Sequence, residues 1–514
     1  MKKAPILLLA ACLALWQCNP LPAPEPDEQQ TVKQEQPSGP EDETGPGQNQ
    51  EPEPAAPKSE ECELTALHFW PSANSTLKEQ IDAVPMRIQG LDMILVTFPE
   101  GCDMSSMVAA FDISKKATVR VDQVQLVNGR SAVDFTGITT WTVVAEDGVH
   151  TADYIVLARE GDSYIDKKVY SFMSANSIPG VAVAITKNSR TAYCAGYGLA
   201  EAKAGNPVRC TPQHLFRLAS VSKTLTSICI LRLCQEGKLS LEDKVFAPAG
   251  PLAEMYSGEH MPRCDEIRVI DLLTHRSGWN YSCTGGVDPI FTDDWRFAGK
   301  SLKTRVEYML KNVSPASTPG TQYSYYNLGF CILGQVIEQV SGLSYEDYLR
   351  ETAAMAGAQD IWLSRTPRSG KRENECVFYS QSSTDPYENN MEIAAACGGV
   401  TASAADMALI LSAIDCDDKV PDILQRQWLD RMYTNYTSSG KGGYGLGWWI
   451  GHNVFTDWTA WHTGSLAGTA TLWVRGNNST NGVILCNSRS YSDGFNAAMM
   501  TVIDEAMSRV AQKY

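Results

Sequence analysis

Between residues 62 and about 160, short apolar runs separated by Gly and Asp turns set the pattern: Met93 to Phe98, Thr118 to Val124, Ser131 to Phe135, Thr139 to Ala145 and Ala152 to Leu157. Such runs read as strands, helical periodicity is scarce, and a small antiparallel β-sandwich is expected. After Gly161 the period changes. Ser163 to Ala175 reads as an amphipathic helix, followed by strands from Val181 to Lys187 and Thr191 to Gly196 about a turn at Asn188-Ser189. Helical signals fill the middle of the chain. Near the end, Thr471 to Arg475 and Gly482 to Cys486 read as strands about Gly476-Asn477-Asn478, and Asp493 to Gln512 as a terminal helix. Strands from both ends with helices between them predict one antiparallel sheet closed by distant segments, an α/β domain with a helical insert spanning 163–514.

With 514 residues, 43% of them hydrophobic and 20% charged, the chain exceeds one ordinary core and most of it is expected to be globular. No internal run reaches the roughly 18 apolar residues a membrane span requires. The N-terminus differs. Met1-Lys2-Lys3 precedes an apolar stretch from Ala4 to Trp16 broken only by Pro5, the pattern of a bacterial export signal over residues 1–18. Two cysteines compete for a lipoprotein-type processing site: Leu9-Ala10-Ala11-Cys12 offers the better small residues, and Cys18, the preferred site, leaves an apolar segment of more usual length. A plain secretory signal is the alternative. The expected protein is exported and lipid-anchored to a bacterial membrane, at the cell surface or in the periplasm.

Residues 19–61 hold eleven Asp and Glu against Lys33 and Lys58, ten of the 26 prolines and no aromatic residue. Such a segment buries too little apolar surface to offset chain entropy, so a disordered, acidic, Pro-rich tether is expected. It supplies -9 of the formal -16, leaving about -7 for the rest, with no basic stripe; nucleic-acid binding is excluded on that ground. Fifteen cysteines occur without a Cys-x-x-Cys pair and without zinc-type spacing to His, so neither metal nor cofactor is expected. Cys62 with Cys102, or Cys264 with Cys283, could pair in an exported protein, but the sequence does not decide this.

The chemistry concentrates in Phe216-Arg217-Leu218-Ala219-Ser220-Val221-Ser222-Lys223-Thr224, followed by an apolar-periodic run that stops at Gly237. This reads as a helix with Ser220 at its start and Lys223 one turn on, on the same face. A serine hydroxyl is a poor nucleophile at neutral pH; a neighbouring amine, its pKa lowered by burial or by nearby cations, can help remove its proton. Ser-x-x-Lys alone also fits a capping serine and a solvated lysine. Two further segments change the weighing. Pro319-Gly320-Thr321-Gln322-Tyr323-Ser324-Tyr325-Tyr326-Asn327 precedes a helix expected from Phe330 to Val340, and Trp461-His462-Thr463-Gly464-Ser465-Leu466-Ala467-Gly468 precedes the strand at Thr471.

Together these three segments, in this order, resemble the serine β-lactamase and penicillin-binding protein superfamily, above all its class C β-lactamase and DD-carboxypeptidase branch, over about residues 165 to 510. The resemblance implies Ser220 as the acylated nucleophile, Lys223 and Tyr325 as its activating partners, and Asn327 as the group that orients the substrate amide. Tyr325 is preferred over Tyr323 and Tyr326 because it stands two before Asn327. His462-Thr463-Gly464 fills the slot of the superfamily's Lys-Thr-Gly, on an edge strand that aligns substrate. The backbone N–H groups of Ser220 and Ser465 would form the oxyanion hole. His462 in place of lysine departs from the pattern and puts β-lactamase activity in doubt. Leu272 to Gly278, Cys397 to Val400 and Tyr444 to Trp448 also match, and read as scaffold; His275 among them is a structural residue rather than a base. The 62–160 segment, through Asp134-Phe135, Trp141 to Gly148 and Tyr154-Ile155-Val156, is similar to an Ig-like β-sandwich module of exported bacterial lipoproteins, a spacer or a wall-binding unit.

The function implied is a serine hydrolase of D-amino-acid peptides or cell-wall fragments. A β-lactamase or an esterase on the same scaffold are the enzymatic alternatives, and a non-catalytic penicillin-recognising or wall-binding protein the other. Its partners would be a peptide or small-molecule substrate, including β-lactams, and a membrane through the lipid anchor.

Overall fold

The computed structural model describes residues 57–203, 205–417, 419–438, 442–451 and 458–513. The export signal with Cys12 and Cys18, and the tether up to residue 56, lie outside the described residues.

The N-terminal region packs two main sheets around one core. A three-stranded sheet (Ile81–Ala83, Leu64–Phe69, Ala110–Ile113) faces a six-stranded one built around Leu91–Phe98, Thr151–Glu160 and Ile138–Val144. Between them Phe69, Phe98, Phe135 and Trp141 meet mostly edge to face, the arrangement aromatic quadrupoles favour. The pairing departs from a wholly antiparallel sandwich: Leu91–Phe98 runs parallel to Thr151–Glu160, with Ile94 opposite Val156. Parallel strands are buried on both faces, and this one is. Ile94, Val96 and Phe98 point into the sandwich core, while Met93 and Leu95 point the other way, into a core shared with the rest of the protein.

That shared core forms against helix α1 (Ser163–Asn176), which the Asp162 side chain caps by accepting from the N–H groups of Tyr164 and Ile165. The cap satisfies donors that the first turn leaves orphaned. Beneath α1 lies the central sheet, which has eight strands among the described residues: β1 (Gly180–Lys187), β2 (Arg190–Glu201), β3 (Val208–Arg209), β4 (Gly442–Tyr444), β5 (Trp449–Gly451), β6 (Trp458–Leu466), β7 (Thr469–Gly476) and β8 (Thr480–Cys486). Their spatial order is β3-β2-β1-β8-β7-β6-β5-β4, every pair antiparallel. The β1–β2 turn carries Asn188 and Ser189 at φ 53° and 57°, the left-handed pair that matches the twist of a two-residue hairpin. Closure by distant segments is seen at β1 and β8, where Val181 faces Cys486 and Val183 faces Ile484.

The period of two divides the sheet's side chains between two cores. Val181, Val183, Ile185, Leu472, Val474 and Ile484 join α1 and the terminal helix (Phe495–Lys513) on one face. Ala182, Ala184, Trp473, Val483 and Leu485 join the helical insert on the other. Inside that insert, α2 (Ser222–Gln235) is buried along nearly its whole length, from Ser222 to Cys234 apart from Arg232. It is a central helix rather than an amphipathic surface one. α3 (Asn327–Ser341) begins at Asn327, three residues before the expected start, and ends on Gly342 at φ 76°. All the described cysteines are free, including both candidate pairs.

Between the N-terminal region and the sheet, the buried Asp166 of α1 accepts hydrogen bonds from Arg159, from the Thr97 hydroxyl at 2.7 Å, and from the Tyr193 and Tyr197 hydroxyls at 2.7 and 2.9 Å. A carboxylate offers about four lone-pair directions, and here all are used.

Candidate active site

Ser220 sits in a 3-10 turn, Ala219–Val221, that leads directly into α2. The residue before it, Ala219, holds φ 48°, a strained conformation for a residue with a Cβ, kept only where surroundings over-determine it. Here they do: the Leu218 N–H donates to the Val400 carbonyl at 2.8 Å, and the Leu218 carbonyl accepts from the Thr471 hydroxyl at 2.8 Å.

Lys223, one turn into the helix, is fully buried. An ammonium has three donors. One reaches Ser220 Oγ at 3.1 Å and one the Cys397 carbonyl at 2.6 Å, and the Tyr325 ring centroid lies 5.0 Å from Nζ. Burial disfavours the charge, but attraction to the Tyr325 phenol when ionised, with the Cys397 and Cys331 thiols behind it, lifts the lysine above its ordinary pKa. This differs from the expectation of an amine whose pKa is lowered. At neutral pH Lys223 is a hydrogen-bond donor to Ser220, positioned to stabilise negative charge on Ser220 Oγ.

Of the three neighbouring tyrosines, Tyr325 is the one over the ammonium. Tyr326 is buried, with its hydroxyl 3.5 Å from Thr284 Oγ1, and Tyr323 packs its ring near Tyr444 and Trp449. His275 stacks on Tyr325 with centroids 4.2 Å apart. Its Nδ1 accepts from the Tyr326 backbone N–H at 3.2 Å, so Nε2 carries the proton. Burial first, then the Lys223 charge, holds its pKa well below the usual range. With its lone pair occupied and its ring neutral, His275 packs against Tyr325 and does not serve as a base.

Strand β6 approaches from the other side. It is third from one end of the sheet, yet β5 pairs with it only at Trp461 and Ala460; from His462 to Leu466 that side has no strand partner among the described residues. Gly464 makes the close approach possible. A Cβ there would stand 2.2 Å from the Leu218 carbonyl oxygen and 2.1 Å from Thr471 Oγ1. Thr463 is half-buried and Ser465 exposed beside it. His462 is buried with Nδ1 2.7 Å from the Thr463 carbonyl and Nε2 2.9 Å from the Tyr444 hydroxyl. A carbonyl only accepts, so Nδ1 carries the hydrogen and Nε2 accepts from Tyr444. Burial, then Lys223, pushes its pKa down to about 3. The slot that resembled a lysine position thus holds a neutral ring.

Asn327 is the first residue of α3, and its Nδ2 donates to Asp288 Oδ2 at 2.7 Å. A cleft of about 630 Å³ opens beside the site, lined by Phe291, Asp293, Lys300, Glu388 and Ile393 among others. Ser220 is not in its lining. Gly398 lies between the two: a Cβ there would stand 3.6 Å from the Phe291 ring and 3.9 Å from Ala219 C.

The structure therefore brings Ser220, Lys223, Tyr325 and the His462–Ser465 segment to one place, with Asn327 two residues beyond Tyr325 at the start of α3. Three contributors were not legible as functional in the sequence: the Cys397 carbonyl, the Tyr444 hydroxyl and Asp288. The first two lie in segments that read as scaffold, and a backbone acceptor leaves no residue-type signal. Asp288 lies in an irregular loop with no motif.

A family model described as Beta-lactamase matches residues 165–503. Protein flp of Staphylococcus aureus (strain N315) is 26% identical over 194 residues, 38% of this chain and 36% of that protein. The D-alanyl-D-alanine-carboxypeptidase/endopeptidase AmpH of Escherichia coli (strain K12) is 25% identical over 264 residues, 50% of this chain and 63% of that protein. The matched region thus spans less than two thirds of either curated relative. Among solved structures, the octameric penicillin-binding protein homologue from Pyrococcus abyssi superposes with a TM-score of 0.55 at 22% identity, over 68% of this chain and 77% of that one. A class C beta-lactamase gives a TM-score of 0.55 at 23% identity, over 67% and 94%. These structural likenesses establish the fold.

Proposed function

Because this chain belongs to the beta-lactamase family, we propose that it is a serine hydrolase working through an acyl-enzyme on Ser220, acting on D-amino-acid peptides or related cell-wall fragments. The observation that carries the reading is the buried Lys223 ammonium, held by Ser220 Oγ and the Cys397 carbonyl beside the Tyr325 ring. A lysine kept only for packing would not spend its donors on a serine hydroxyl.

In the proposed reaction Ser220 Oγ attacks the substrate carbonyl carbon and a C–O bond forms. Tyr325 relays the proton, its oxygen taking up the Ser220 hydroxyl proton as its own proton passes to the leaving nitrogen and the C–N bond breaks. Water next attacks the ester, and Ser220 recovers its proton as the acid leaves. The backbone N–H groups of Ser220 and Ser465 would take the negative oxygen of each tetrahedral intermediate. Asn327 and the unpaired edge of β6 would hold the peptide, the latter by strand addition. The similarity to AmpH, a D-alanyl-D-alanine-carboxypeptidase/endopeptidase, supports a D-alanyl peptide as substrate. We further propose export and lipid anchoring at Cys18, with Cys12 the alternative, which would place the enzyme where such peptides occur.

Release of D-alanine from a D-Ala-D-Ala peptide tests this directly. The wild type is expected to release it and Ser220→Ala to release none; equal release by both, or by neither, contradicts the proposal.

A further inference from the structure

The carboxamide of Asn327 is not free to choose its orientation. Asp288 Oδ2 accepts from Asn327 Nδ2 at 2.7 Å and from the Tyr281 hydroxyl at 3.2 Å, and Asp288 Oδ1 accepts from the Ile290 N–H at 2.8 Å. Tyr281 in turn packs edge-on against Tyr326, the residue before Asn327, at 5.2 Å. An ionised carboxylate only accepts, so it can face only the NH2 end of the amide. Turning Asn327 over would set its carbonyl against the carboxylate and give up a charge-assisted hydrogen bond. With Nδ2 so placed, Asn327 Oδ1 is committed to no partner among the described residues.

We infer that Asp288 is a positioning residue that fixes Asn327 as a hydrogen-bond acceptor towards the substrate, so that the site selects acyl donors carrying an N–H on the acyl side. The inference rests on the reading of Ser220 as the acylated nucleophile. Asn327 free to rotate would serve equally as donor or acceptor and would discriminate poorly. Held by Asp288 it presents one face, and an acyl group with oxygen where the N–H should be meets an acceptor with an acceptor.

The test uses a matched pair of thioesters, one of N-acetyl-D-alanine and one of its acetoxy analogue with O in place of the N–H, on the full chain. The wild type is expected to favour the N–H substrate in kcat/KM by about 10-fold. Asp288→Leu should bring that ratio close to one, and so should Asp288→Asn, whose single oxygen can serve the Ile290 N–H only by turning its NH2 towards Asn327. A merely structural role would lower both rates and leave the ratio alone. If Asp288→Leu does not yield folded protein, Asp288→Ala is read in its place. An unchanged ratio in the variant overturns the inference while leaving the acyl-enzyme intact; absence of any acyl adduct on Ser220 by intact mass with either thioester overturns both.

Discussion

Replacing Gly464 with alanine tests whether the β6 edge lies against the turn that carries the nucleophile. The added methyl would stand 2.1 Å from Thr471 Oγ1, 2.2 Å from the Leu218 carbonyl oxygen and 3.1 Å from Ala219 Cβ. The threonine hydroxyl cannot simply swing away, because it donates to that same carbonyl at 2.8 Å. The carbonyl cannot move without dragging Ala219 and Ser220. Relief therefore requires β6 to retreat by about 1 Å, and overpacking of this kind costs about 1–3 kcal/mol. Stability should fall only modestly. Catalysis should fall further, since a misplacement of about 1 Å costs roughly 100-fold in rate. Stopped-flow acylation by a fluorescent penicillin, beside a thermal melt, separates the two. A variant with a lowered Tm that still acylates at the wild-type rate would refute the placement of His462–Ser465 at the reacting centre.

Further outcomes follow from the same geometry. Tyr325→Phe keeps the stacking on His275 but removes the phenol oxygen, and should lower the acylation rate by about 100- to 10,000-fold while leaving Tm within a few degrees, measured by the same assay. His462 is held neutral with a pKa of about 3 against an ordinary 6.5, so the unfolded chain binds the extra proton. Its stabilising contribution is full above pH 6.5 and declines as pH falls towards 3, by about 2 kcal/mol at pH 5; urea titrations should show that part of the slope vanish in His462→Gln, and equal slopes would contradict the assignment. Asp166→Ala strips the acceptor from Arg159, Thr97, Tyr193 and Tyr197 together. Breaking one partner of a buried ion pair costs about 3–5 kcal/mol, so urea denaturation should show an unfolding free energy lowered by that amount, and a change near zero would mean this cluster contributes no stability.

Much of the fold was legible because it is written in local pattern. The Asn188-Ser189 hairpin, the strands at Thr471 and Gly482 and the helix from Ser163 all follow from periodicity and turn chemistry, and they are where that reading put them. The parallel pairing of Leu91–Phe98 with Thr151–Glu160 was not, since the choice of partner is made across more than fifty residues by burial of both faces. The early start of α3 escaped for a related reason. Nothing near Tyr326 offers a capping side chain, and the orphan N–H is taken by His275, 51 residues away. At the candidate site, Ser220 and Lys223 could be picked out by spacing, and Tyr325 and Asn327 through the resemblance to the family's Tyr-x-Asn. The charge state of Lys223 could not, because it depends on what surrounds Nζ, and neither could the neutral ring of His462, which is set by burial and by Tyr444.

The central claim is a covalent ester on one named hydroxyl, and intact-mass spectrometry with peptide mapping after incubation with a penicillin reads it most directly. The account predicts a single adduct of the penicillin's mass, mapped to the peptide containing Ser220 and lost in Ser220→Ala. No adduct with either a penicillin or an activated D-alanyl ester, or an adduct that persists in Ser220→Ala, would contradict it.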